Sequence, residues 1–216
     1  MKYQAVIFDL DGVICHTDQY HYMAWKQVAD RMGVTFDETI NNRLRGVSRM
    51  ESLEIILESF EGAPLCRQEK EQLAKEKNQI YQELLKQMSC KDLSPKVKET
   101  LEQLKHNKLL LAIGSSSRNA GFILHRIGLE GFFDAVSDGN NITKSKPDPQ
   151  VFLMAASYLH VRPEDCLVVE DARAGIDAAR AAGMDSAAIG DAFSYPPADY
   201  HLTCFEELIQ VCTTDK

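Results

Sequence analysis

The chain has 216 residues, 24 Lys and Arg against 32 Asp and Glu for a formal net charge of −8, and 44% hydrophobic with 26% charged residues; that is enough apolar material for a real core and excludes disordered or collagen-like chains. The acidic balance excludes a general nucleic-acid binder, which needs a basic face to release counterions from phosphates. The N-terminal apolar stretch is broken by Asp9 and Asp11, too short and too acidic for a signal peptide or a membrane span, so a cytoplasmic protein with no membrane partner is expected. Six cysteines (Cys15, Cys66, Cys90, Cys166, Cys204, Cys212) lie scattered without a CxxC pair, which predicts free thiols. Cys15, His16 and His21 have no second cluster to close a four-ligand zinc site.

In chain order, Ala5 to Phe8 is a continuous apolar run of strand length, as a buried parallel strand requires. From about Thr17 to Ser89 the pattern is helical only. "DQYHYMAWKQVADRMG" stops at Gly33, "SRMESLEIILESF" opens with a capping box from Ser48 to Glu51, and "RQEKEQLAKEKNQIYQELLKQM" is a long amphipathic helix whose lysines and glutamates form mostly a solvated face. Further strand-like runs follow at Leu109 to Ile113, Phe133 to Val136, Leu167 to Val169 and Ser186 to Ile189. Helices separate them: Ser94–Pro95 and Asp148–Pro149 read as N-caps with proline at the first helical position, and Gly128 and Gly183 as C-terminal stops. Alternation of this kind predicts a doubly wound parallel sheet, an α/β core over 1–16 and 90–216, with an inserted all-helical cap domain over 17–89 and hinges near Cys15 and Lys91.

Ligands of an open parallel sheet bind beyond the carboxyl ends of its strands. After the first run come Asp9 and Asp11, after the second Gly114, Ser115, Ser116, Ser117, Arg118 and Asn119, after the third Lys144 and Lys146, and after the fourth Glu170 and Asp171. Phosphoryl transfer wants this set. A carboxylate can attack phosphorus and hold it as an acyl phosphate. Magnesium offsets the repulsion between the anions, through oxygen ligands for which Asp9, Glu170 and Asp171 are suited. The Lys146 ammonium, the Ser115 hydroxyl and backbone N–H groups from Ser115 to Asn119 can hold the non-bridging oxygens. Asp11, on a turn permitted by Gly12, can act as general acid and base.

The ordered motifs "VIFDLDGVI", "LAIGSSS", "KSKPDP" and "LVVEDARAGI" resemble the haloacid dehalogenase superfamily of phosphotransferases along essentially the whole chain. The resemblance implies a Rossmann-like core with a helical cap between the first two motifs. It makes Asp9 the nucleophile, Asp11 the acid and base, Ser115 the second-motif hydroxyl and Lys146 the third-motif lysine. The magnesium ligands expected with it are Asp9, Asp11, Glu170 and Asp171, Glu170 supporting Asp171 in the fourth motif.

The cap stretches "LRGVSRMESL" and "LAKEKNQIY", with "SSSRNAGFIL", are similar to those of sugar phosphomutases within that superfamily. The similarity implies a β-glucose phosphate as small-molecule partner; separately, a monomer is expected. Gly46, Val47, Ser48 and Arg49 would hold the sugar and its distal phosphate, Lys77, Ser117, Arg118 and Asn119 would complete the binding set, and Thr17 and His21 would sit at the hinge whose closure aligns Asp11. A guanidinium fork suits a phosphate that is not being transferred, and a closed lid excludes water. Arg45 stands where lysine is expected and Ser116 where a small apolar residue is usual, which touches substrate preference more than reaction type. The alternative on the same scaffold is a sugar-phosphate phosphatase, in which water takes the phosphoryl group from Asp9.

Overall fold

The computed structural model describes residues 2–44 and 47–213. They divide into two compact units: residues 1–16 with 89–216, and residues 17–88.

The first unit is built on six parallel strands. They are β1 (Ala5–Phe8), β2 (Leu110–Gly114), β3 (Ala135–Ser137), β4 (Cys166–Glu170), β5 (Asp185–Ala188) and β6 (Tyr200–His201), in the order β3-β2-β1-β4-β5-β6. Every residue of β1 and β4 is buried, as continuous apolar runs covered on both faces must be. The helices of this unit are α5 (Pro95–His106), α6 (Ala120–Arg126), α7 (Gln150–Leu159), α8 (Arg173–Ala181) and α9 (Glu207–Thr213). One face of the sheet packs Ile7, Ala112 and Val168 against Val151, Phe152 and Ala155 of α7 and Ala178 and Ala179 of α8.

The five strands expected from apolar runs are all present, displaced at their ends by no more than two residues. The sixth, β6, has two residues and no apolar run to announce it. Ser94 and Pro95 stand at N-cap and N1 of α5, but the Ser94 side chain makes no capping hydrogen bond. The second expected cap is corrected: α7 begins at Gln150, after Pro149, and the Asp148 carboxylate accepts the Gln150 N–H at 3.0 Å. Gly128 and Gly183 follow α6 and α8 at φ +79° and +74°.

The second unit is all helical, with α1 (Asp18–Arg31), α2 (Glu38–Asn42), α3 (Arg49–Leu57) and α4 (Arg67–Leu85). Trp25, Val28, Ala29, Leu53, Ile56 and Ala74 form its core. The capping box of α3 is formed: Ser48 Oγ accepts the Glu51 N–H at 3.3 Å, and the Glu51 carboxylate accepts the Ser48 N–H at 2.8 Å. A short helix, α2, was not marked in the sequence, since its polar "ETINN" has no apolar stripe and is capped by Asp37 alone.

Order in the sheet carries the functional geometry. β1 lies centrally between β2 and β4, with Phe8 level with Ile113 on one side and Val169 on the other. The residue after Phe8 is therefore level with Gly114 and Glu170. The chain runs outward from β1 through β2 to β3 and returns to β4, so Asp9 and Glu170 flank the point at which strand order reverses, where an open sheet leaves its crevice.

Leu101 of α5 is fully buried. Leu101→Ala should lower unfolding free energy by ~2–5 kcal/mol, read as a fall in urea midpoint at unchanged denaturant slope.

Candidate active site

In the strand-built unit, Lys146 organises the crevice. Its ammonium donates to Asp9 Oδ1 and, at 2.6 Å, to Glu170 Oε1. Asp9 is 7%, Lys146 5% and Glu170 1% exposed, so three ionisable groups are packed where water barely reaches them. Burial alone would lower the lysine's pKa, but the charges of Asp9 and Glu170 outweigh it and hold the ammonium firmly protonated. Glu170 is pushed up to about 7 by burial against the opposing pull of Lys146. The Lys146 ammonium also lies 4.8 Å from the centre of the Phe152 ring, a favourable cation–π placement.

Glu170 is held from both ends. Its second oxygen accepts the Ala172 N–H at 3.0 Å, and a β-carbon on Gly175 would come within 1.9 Å of its carboxylate. Glu170 thus appears in the structure as a carboxylate committed to Lys146 and backbone. Both of its oxygens are engaged by the protein.

Asp171 reaches the loop after β1. A β-carbon at Gly12 would lie 2.0 Å from Asp171 Oδ2, and Gly12 has φ +84°. Only glycine fits both demands. The result is a crevice edge with the carboxylates of Asp9 and Asp11 in one loop and Asp171 packed against that loop. Among the described residues no three His, Cys, Asp or Glu side chains converge as a closed metal cluster, so any cation here has to complete its shell with other oxygens. The Cys15 thiol is pushed up by burial, then by the charges of Asp11, Asp9 and Asp92.

The loop after β2 supplies hydroxyls. Ser115 Oγ accepts the Ser117 N–H at 3.1 Å, and Ser117 Oγ accepts the Asn119 N–H at 3.2 Å. The Ser115 N–H goes to the Ser137 carbonyl at 3.0 Å. Three of the backbone donors expected to bind phosphoryl oxygens are therefore already spent, and the expectation narrows to the other N–H groups of that loop. The Ser115 hydroxyl, with its lone pair occupied by an amide, keeps its own proton to donate. Ser115 and Asn119 are buried and Arg118 is exposed. Ser116 Oγ is buried with no hydrogen-bond partner among the described residues.

In the helical unit, Lys77 is 2% exposed although it lies on the most highly charged helix. It falls on the buried stripe Ala74, Lys77, Tyr81, Leu85 of α4. Its ammonium sits 2.7 Å from His21 Nδ1 and 4.5 Å and 5.2 Å from the ring centres of Tyr81 and Trp25. Because an ammonium can only donate, Nδ1 accepts and the imidazole proton is on Nε2. His21 is half-buried by area, yet the packing about its ring, then the charges of Lys77 and Arg49, drive its pKa well below the usual value. Tyr81 donates to Thr17 Oγ1 at 3.0 Å, and the His21 and Tyr81 rings lie 4.1 Å apart. The Arg49 guanidinium donates to Asn78 at 2.8 Å. The expected Gly46, like Arg45, lies outside the described residues, while Val47 and Ser48 lie at the entrance to α3.

Each unit thus gathers part of the expected set, Asp9, Lys146 and Glu170 in one, Thr17, His21 and Lys77 in the other. Sequence reasoning overlooked Phe152, Gly175 and Tyr81. Tyr81 had a signal, its place with Ala74 and Leu85 on one helical stripe; Phe152 and Gly175 act by shape and had none.

A model of the haloacid dehalogenase-like hydrolase family matches residues 3–183. The chain belongs to that family. It is 46% identical over 189 residues to the β-phosphoglucomutase of Bacillus subtilis, covering 87% of this chain and 83% of that protein. It is 35% identical to a phosphorylated carbohydrates phosphatase of Thermotoga maritima, over 84% of this chain and 82% of the relative. Among solved structures, a β-phosphoglucomutase from Clostridium difficile superposes with a TM-score of 0.89 at 37% identity, covering 97% of this chain and 96% of the other.

Two measurements probe these environments. Ser116→Ala removes a buried hydroxyl that has no partner, so it should stabilise the protein by about 1 kcal/mol, seen as a rise in urea midpoint. For His21 the folded pKa is depressed, so below about pH 6.5 the unfolded chain takes up a proton that the folded ring refuses. Stability contributed by the neutral ring is present above that pH and lost below it, at up to about 1.4 kcal/mol per pH unit. Urea midpoints from pH 7 to 5 should fall less steeply in His21→Gln than in wild type; parallel curves would show that the ring is not held neutral.

Proposed function

We propose that the protein interconverts β-D-glucose 1-phosphate and β-D-glucose 6-phosphate through an aspartyl phosphate on Asp9 and β-glucose 1,6-bisphosphate. The observation that carries the reading is the buried Asp9–Lys146–Glu170 cluster at the strand-order switch. It holds a carboxylate beside a permanent positive charge, which is what attack on a phosphoryl group needs. The choice of a sugar hydroxyl over water as acceptor is supported by the similarity to the two phosphoglucomutases.

In the forward direction phospho-Asp9 meets the 6-hydroxyl of β-glucose 1-phosphate. Asp11 removes the hydroxyl proton as the new O–P bond forms and the acyl phosphate bond to Asp9 breaks. The bisphosphate then reorients or exchanges, and Asp9 attacks the phosphorus at the anomeric carbon. The bond from phosphorus to the anomeric oxygen breaks, Asp11 returns its proton to that oxygen, and glucose 6-phosphate leaves with Asp9 rephosphorylated. Lys146 and the Ser115 hydroxyl hold the non-bridging oxygens of the group in flight. Arg49, with Gly46, Val47 and Ser48, grips the phosphate that is not moving. Ser117, Arg118 and Asn119 of the strand-built unit and Lys77 of the helical unit are the sugar-orienting residues of this reading, and Thr17 and His21 its hinge residues.

Magnesium fits the crevice. It favours hard oxygen ligands and tolerates a shell shared among one or two carboxylates, waters and substrate phosphate, and the carboxylates of Asp9 and Asp11 in the loop after β1, with Asp171 packed against that loop at Gly12, offer such oxygens. Asp9, Asp11 and Asp171 would hold the ion, with Glu170 acting through its grip on Lys146; the bound ion would screen charge between phosphate and carboxylate.

Phosphorus NMR with magnesium, β-glucose 1-phosphate and a trace of the 1,6-bisphosphate tests the reading. Glucose 6-phosphate should appear without free phosphate, and Asp9→Ala should lower turnover by at least about 10³-fold. Steady release of inorganic phosphate would instead make the protein a sugar-phosphate phosphatase, the activity named for the Thermotoga relative.

A further inference from the structure

Lys146 is delivered to the crevice by an irregular segment, and something must fix that segment. Between the end of β3 at Ser137 and the start of α7 at Gln150 the chain has no helix or strand. A backbone without regular structure has to find acceptors for its N–H groups elsewhere. The two residues that lead into Ser145 and Lys146 find theirs on one side chain. Gln150 Oε1 accepts the Thr143 N–H at 2.9 Å, the Lys144 N–H at 2.9 Å and the Thr143 hydroxyl at 3.1 Å.

Gln150 is itself anchored. It is the first residue of α7, its N–H donates to the Asp148 carboxylate at 3.0 Å, and the Asp148 N–H returns to the Ser145 carbonyl at 3.0 Å. Two residues on, Phe152 of the same helix is fully buried beneath the Lys146 ammonium. The first turn of α7 therefore holds Lys146 twice, by the tether on its incoming backbone and by the ring under its charge.

We propose that Gln150 is a positioning residue for phosphoryl transfer: its side-chain oxygen fixes the Thr143–Lys144 backbone and through it the place of the Lys146 ammonium. The inference rests on the reading that Lys146 holds the transferring phosphoryl group. Gln150 meets neither substrate nor the reacting atoms, so its effect falls on the transfer step and spares substrate affinity. Displacing a catalytic group by about 1 Å costs up to about 100-fold in rate.

The test compares Gln150→Met, which keeps the shape and removes the acceptor, with Gln150→Glu, which keeps an acceptor oxygen at the same reach. Glucose 1-phosphate isomerisation is measured alongside hydrolysis of acetyl phosphate, a phosphoryl donor that needs Asp9 and Lys146 but no sugar site. Gln150→Met should lower kcat in both assays by about 10- to 100-fold, with KM within about twofold and a similar melting temperature. Gln150→Glu should restore kcat to within about threefold of wild type. Wild-type kcat in Gln150→Met, or an equal loss in both variants, would overturn the proposal. If wild type hydrolyses acetyl phosphate but does not isomerise the sugar, the mutase reading fails while the comparison of variants still decides the role of Gln150.

Discussion

The structure depends on keeping one ammonium inside the protein. Moving a lysine out of water costs several kcal/mol, and the cost is met only when partners of opposite charge are placed within hydrogen-bond reach. Asp9 and Glu170 are those partners, and they come from different strands. Neighbouring strands lie ~4.8 Å apart, so two carboxylates at the ends of adjacent parallel strands straddle a lysine without distortion. The register that sets Phe8 beside Val169 achieves this. A sheet with β4 one place further out, no longer beside β1, could not bring the two carboxylates to one lysine in this way.

The crevice is shaped as much by missing atoms as by charges. Asp171 reaches the first loop because residue 12 has no side chain, and Glu170 keeps its seat because residue 175 has none. The Phe152 ring lies against Gly114, where a β-carbon would come within 2.7 Å. These contacts have no polarity to announce them. They are the steric half of a site whose other half is electrostatic, and a methyl group at any one of them would displace an ionised or aromatic side chain.

That division explains what could be read from the amino-acid sequence. The buried strands were legible because parallel strands covered on both faces need unbroken apolar runs, and Asp9, Lys146 and Glu170 were legible because each follows such a run at the edge where ligands bind. Lys77 was marked only by family resemblance; among the charges of α4 its burial is betrayed by helical phase alone, on the line with Ala74 and Tyr81. β6 and α2 escaped because a two-residue strand and a five-residue polar helix are fixed by tertiary surroundings, not by periodicity. The cap of α7 was misplaced by one residue for a related reason: Asp148 and Gln150 bond to the loop before the helix, so the boundary is set by what the loop requires.

The sheet narrows from its buried centre to its rims. Its outermost strands, β3 and β6, have three and two residues, and the Asp199 carboxylate takes the Ser186 N–H at 2.8 Å and hydroxyl at 3.1 Å beside the β6 rim. A foreign extended chain would find only a few amide groups in line on which to build. Strands that are apolar throughout are hazardous when an edge is left open to self-assembly. Here the most adhesive segments, Ala5–Phe8 and Cys166–Glu170, are enclosed on both sides by other strands, so the short rims act as a guard against fibrillar association, and the long apolar centre that the chemistry requires can be kept without that risk.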